Sequence, residues 1–131
     1  MKQILLVILI ITSNSIFSQS RNASYKIVNV ERDNRGLVNY LDVYIPNMSG
    51  IRALNKKLFD KYKNTGIVTF QIYYYDNQII ASKYKKAVFD KNISDDKLNK
   101  MAQHVIGSFV YNAYLNPKET LNIVRDPDNN P

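Results

Sequence analysis

Two stretches of strict alternation set what this chain can become. In 67–75, Val68, Phe70, Ile72 and Tyr74 alternate with Thr69, Gln71, Tyr73 and Tyr75. In 37–45, Leu37, Leu41, Val43 and Ile45, with Asn39 among them, alternate with Val38, Tyr40, Asp42 and Tyr44. A period of two sends successive side chains to opposite faces of an extended backbone, so both segments read as strands with one face inward. A chain built on such segments must form a sheet and cover one side of it.

The residues between them read as a helix. Pro46 ends the strand, and Asn47 or Ser49 is expected to cap a helix running to about Lys63. Ile51, Leu54, Leu58, Phe59 and Tyr62 form its apolar stripe, and Asn64-Thr65-Gly66 stops it. Upstream, 24–31 reads as a strand with Tyr25 and Ile27 on one face and Val28 and Val30 on the other. The turn Asp33-Asn34-Arg35-Gly36 joins it to 37–45 as a hairpin. Downstream, Asp76-Asn77 is expected to turn the chain into a long strand over 78–89, interrupted by Lys83, Lys85 and Lys86. Ser94 then caps a second helix, with Asp95 and Asp96 in its first turn and Leu98, Met101, Ala102 and Val105 on its inner stripe. Gly107 is expected to break it, and 108–111 and 120–124 read as the last strands. The expected order is β-β-α-β-β-α-β-β. It describes an α+β fold, an antiparallel sheet with two helices on one face.

The first residues carry a different pattern. Met1-Lys2 precedes an unbroken apolar run from Ile4 to Ile11, followed by small polar residues to Ser20. This is the arrangement of a secretory signal peptide, and the run is shorter than the roughly 20 residues a span requires. A retained anchor is the competing reading. The expected organisation is therefore a leader at 1–18, one α+β domain at 19–125 and a flexible tail at 126–131, with cleavage after Ser18 or Ser20 and no membrane span in the exported product. The protein is expected in the periplasm or outside the cell. The chain has no cysteine, so packing alone holds it and thiol chemistry is excluded. The sequons at Asn22, Asn47 and Asn92 are no more than chance predicts in a chain this rich in asparagine.

The succession YKIVNVE, a turn, LVNYLDVYIP, an amphipathic helix and IVTFQIYYYD resembles small exported bacterial α+β domains of unknown function. The resemblance spans about the first half of the exported part. It implies the same fold and carries over no site residue.

Catalytic chemistry is thinly provided. His104 is the one histidine, near the end of the second helix. A nucleophile–base pair or metal site needs further groups beside it. Asp95 and Asp96 diverge by about 100° on a helix. Asp126 and Asp128, with Asn129 and Asn130, form an oxygen-rich tail lacking the glycine and terminal glutamate of an EF-hand loop. Asp42, between Tyr40 and Tyr44, reads as solvated. No cofactor and no metal site is expected.

Two surfaces remain. One is the sheet face of Thr69, Gln71, Tyr73 and Tyr75, joined by Lys83 and Lys85, or by Tyr84 and Lys86, according to register, with Tyr40 and Tyr44 beside them. Tyrosine anchors interfaces, and lysine draws anions. The other is the basic helix flank of Arg52, Lys56, Lys57, Lys61 and Lys63, which is more simply a solvated face. Net charge is +7, one unit lower once Lys2 leaves with the leader. These features favour a non-enzymatic binding domain using Tyr73, Tyr75, Lys83, Lys85, Tyr40 and Tyr44 to engage a protein or an anionic polymer. The alternatives are a small hydrolase or lyase using His104, and a polyanion binder, with nucleic acid disfavoured by export.

Overall fold

The computed structural model describes residues 24–115 and 118–124. The leader expected at 1–18, Asn22 and the tail expected at 126–131 lie outside the described residues. Strands β1 (Lys26–Arg32) and β2 (Val38–Tyr44) form the expected hairpin. Its turn is built by Asp33, whose carboxylate accepts from the backbone N–H of Arg35 and Leu37, and by Gly36 at φ 82°. Helix α1 (Ile51–Tyr62) then returns the chain to β3 (Thr69–Tyr75), which pairs with β2 in parallel. A helical crossover between adjacent strands has this consequence, because only a long connection carries the chain back to start a parallel strand. The sheet is therefore mixed, and the all-antiparallel expectation is corrected. Its strand order is β1-β2-β3-β4-β5, completed by β4 (Val105–Asn112) and β5 (Lys118–Ile123).

The largest correction concerns 78–89. These residues form helix α2 (Gln78–Val88) rather than a strand. The side chain of Asn77 accepts from Ile79 N–H at 3.0 Å and Ile80 N–H at 3.1 Å, the geometry of a helix cap. Ile80, Ala81, Tyr84 and Ala87 turn toward the protein at helical spacing. Helix α3 (Asp95–Ala102) follows, capped by Ser94 as expected, with Asp95 and Asp96 in the first turn. It ends before Val105, which opens β4 together with Gly107. Gly107 is thus a strand residue and not a helix breaker. A Cβ there would lie 3.0 Å from the Asn122 carbonyl oxygen and 3.2 Å from Ile51 Cδ1, so the close approach of α1 and β5 leaves a tight fit for any side chain.

Helices α1, α2 and α3 occupy both faces of the sheet. Leu54, Leu58 and Phe59 of α1 pack on the face of Leu41, Val43, Phe70, Ile72 and Phe109, and Tyr74 donates to Asn55 Oδ1 at 2.7 Å. Phe59 lies 5.8 Å from Phe70 and 5.1 Å from Phe109, ring centre to ring centre. Ile51, Leu54, Leu58 and Phe59 are buried as expected, Tyr62 is partly covered, and Asn55 joins the buried stripe. The start of α1 is set by Gly50 at φ 84° rather than by Asn47 or Ser49, while Asn47 folds its side chain onto Ser49 N–H. The opposite face carries Tyr40, Asp42, Tyr73 and Tyr75, and α2 lies across it over β1, β2 and β3, with α3 against α2. The fold is α+β, but with helices on both sides. Among the described residues no helix is long and apolar enough to cross a membrane.

Candidate functional site

A buried carboxylate organises the α2 side of the sheet. Asp42 is fully buried, contrary to the solvated position expected for it. Its Oδ1 accepts from the Tyr40 hydroxyl at 2.7 Å and the Tyr75 hydroxyl at 2.8 Å. Its Oδ2 accepts from Asn29 Nδ2 at 2.9 Å, and the same amide donates to the Ala81 carbonyl of α2 at 3.2 Å. A β-bulge makes this possible. Ile27 pairs with Val43 and Asn29 with Asp42, so Val28 is an extra residue in β1. Unbroken alternation would keep Asn29 on the side of Ile27; the bulge re-aims its amide at Asp42. Burial, reinforced by the bond to Asp42, raises the Tyr40 phenol far above its usual range. Burial and the charge of Asp42 do the same to Tyr75. Both phenols are therefore fixed as donors.

Beside this cluster the C-terminal half of α2 stands over a groove of about 310 Å³. Tyr40, Gln71, Tyr73 and Tyr75 form its floor on the sheet. Tyr84, Lys85, Val88 and Phe89 form its roof on and just beyond α2. Tyr40 and Tyr73 lie 5.8 Å apart, and Tyr84 meets Tyr75 edge-on at 6.1 Å. The Lys85 ammonium sits 3.7 Å from the centre of the Tyr40 ring and pairs with Glu31 of β1. Phe89 is 76% exposed and Val88 45%, two apolar side chains left in water beside an aromatic hollow. A second groove runs between α2 and β1, past Glu31, Ser82 and Lys86, and shares Lys85 and Phe89 with the first.

The structure unites four of the six residues expected to form a binding face: Tyr40, Tyr73, Tyr75 and Lys85. Tyr40 and Tyr75 contribute as buried supports, not as the exposed rings expected. Lys83 lies on the α2 flank nearer α3, lining a separate hollow with Lys97 and Met101. Tyr44 is opposite Tyr75 in the ladder and lines none of these hollows. Val88 and Phe89 join the site only because 78–88 is helical and not the extended strand expected there. The sequence signals of that helix are the Asn77 cap and the helical spacing of Ile80, Tyr84 and Ala87.

The other candidates are occupied structurally. On α1, Lys56 and Lys63 both pair with Asp60, and these bonds, Lys56 first, hold the Asp60 carboxyl below its ordinary range. Lys57 and Lys61 lie over the rings of Tyr25 and Tyr62. His104 sits between α3 and β4, with Nδ1 2.7 Å from Asp76 Oδ1, while Asp76 N–H donates to the His104 carbonyl. The pair ties the end of β3 to the approach of β4. Among the described residues no group of three metal-ligating side chains comes together. Comparison with family models, characterised proteins and solved structures finds no match, so the aromatic groove under α2 is read from its own geometry.

Proposed function

We propose that this chain is an exported, non-enzymatic binding domain that takes its partner in the groove beneath the C-terminal half of α2. One observation carries the reading: Phe89, 76% exposed, overhangs a hollow lined by four tyrosines. Clustered tyrosines give contact area at low entropic cost, and an exposed phenylalanine beside them is an interface feature rather than a scattered apolar residue. The floor is rigid, because the Asp42 bonds fix Tyr40 and Tyr75. The apolar run at 4–11 supports export.

The His104–Asp76 contact favours a second reading, a small hydrolase or lyase. The two readings separate in one experiment. The immobilised protein, its Phe89→Ser variant and its His104→Ala variant are each exposed to envelope extract and to chromogenic ester and glycoside substrates. Retention of the same species by wild type and His104→Ala, lost with Phe89→Ser, is the expected result. Turnover abolished by His104→Ala, with retention indifferent to Phe89, would replace binding by catalysis.

A further inference from the structure

The groove wall is mainly aromatic and apolar, with Gln71 and Lys85 as its non-aromatic polar side chains. Tyr40 and Tyr75 direct their hydroxyls away to Asp42 and lie buried beneath the groove, so the accessible aromatic surface belongs to the partly exposed Tyr73 and Tyr84 and to Phe89. Lys85, the cation inside, is already matched by Glu31. A highly charged polymer would find that cation already matched and would set its ionised groups against the groove's apolar wall. Val88 and Phe89 extend that wall to the rim. On the outer turns of α2, Lys83 and Lys86 are exposed and pair with no carboxylate among the described residues. Lys86 lines the second groove beside Phe89. The whole chain carries +7, so a partner is drawn in by negative charge.

We infer that the partner is an acidic polypeptide segment, which seats one aromatic or branched aliphatic side chain against Tyr73, Tyr84 and Phe89 and sets flanking carboxylates on Lys83 and Lys86. This inference rests on the reading of the groove as a binding site. It commits to a peptide over an anionic polysaccharide, because the hollow favours an apolar anchor while the ammonium groups of Lys83 and Lys86 stand outside it.

The test is fluorescence anisotropy with dye-labelled probes titrated with the full chain. The first probe is a short peptide of glutamates and aspartates around a central tryptophan. The second replaces the tryptophan by serine, the third replaces the acids by lysines, and the fourth is labelled polygalacturonate. The first probe is expected to bind. The second and third are expected to be at least tenfold weaker, as is the first probe with Phe89→Ser or with the double variant Lys83→Glu, Lys86→Glu. Circular dichroism checks that each variant is folded, and Phe89→Leu, expected to retain binding, guards against a collapsed groove. Equal binding of the serine probe or of polygalacturonate would make this a general polyanion surface and overturn the inference. Equal binding of the lysine probe, or no binding of the first probe, would also overturn it. Free indole, followed by NMR shifts at Tyr73 and Phe89, separates the two levels. Indole in the groove without peptide binding defeats the partner and leaves the groove reading standing; shifts from neither defeat both.

Discussion

The Tyr75 hydroxyl donates to the Asp42 carboxylate at 2.8 Å, on the diagonal between two strands that run parallel. Tyr75 lies opposite Tyr44 in the ladder, and Asp42 opposite Tyr73, so the bond spans two register positions. With Tyr40 and Asn29 it closes a buried polar cluster under α2. The cluster supports the groove floor and anchors the helix above it through Ala81.

Asp42→Ala is expected to destabilise the fold by at least about 2 kcal/mol, since it strands two phenols and an amide without their acceptor. Asp42→Asn keeps one carbonyl oxygen and is expected to cost less than the alanine change. Urea melts measure both. A loss below about 1 kcal/mol for alanine would show that the cluster is dispensable.

Tyr73 and Tyr75 differ by two positions and share a strand face, yet their substitutions are expected to diverge. Tyr75 is fully buried, so Tyr75→Ala is expected to cost about 3–5 kcal/mol, in the range of large aromatic truncations. Tyr73 is only partly covered, so Tyr73→Ala is expected to cost clearly less while weakening partner binding. Parallel melts and binding titrations decide it. Similar stability losses for the two would contradict the burial difference.

Gly107→Ala is expected to destabilise by about 1–3 kcal/mol, because the new methyl meets backbone on one side and a core side chain on the other. Pairing it with Ile51→Val relieves one of the two contacts. Thermal or urea unfolding of the double variant should recover part of the loss; an alanine variant as stable as wild type would mean that α1 does not press on β4 at this point.

The turn of the first hairpin should show an acid-sensitive contribution. The Arg35 guanidinium, with the backbone N–H groups of Leu37 and Arg35, holds the partly buried Asp33 carboxyl below its ordinary 3.8. A folded value below the unfolded one means that the stabilisation is fully present above the unfolded value and is lost as pH falls through the folded one. NMR titration of Asp33 should give a midpoint under 3.8, and Arg35→Ala should move it upward. A wild-type midpoint at or above 3.8 would remove the turn's electrostatic support.

The Asn77 side chain holds the first amides of α2. Asn77→Ala is expected to cost about 1 kcal/mol by removing the cap of α2, and Asn77→Asp to restore most of it. Because the cap starts the helix that carries Tyr84, Lys85 and Phe89, binding in the groove should fall with it. Hydrogen exchange at Ile79 and Ile80, the two amides that the cap holds, reads the effect directly. Unchanged exchange would mean that the side chain of Asn77 does not hold the helix start.

What the sequence by itself determined is local. Alternation in 37–45 and 67–75 marks two strands, the stripe from Ile51 to Phe59 marks α1, and Ser94 with two aspartates marks the start of α3, because each signal lies within one element. The same alternation sorts Tyr40, Asp42, Tyr73 and Tyr75 onto one face, but says nothing of whether that face meets water or a second layer. Only the tertiary structure decided this. The helical crossover made β2 and β3 parallel, α2 then folded across the far side, and the Val28 bulge turned Asn29 inward to complete the partners of Asp42. Periodicity records direction relative to the chain's own axis, whereas burial depends on which distant segment packs against that direction.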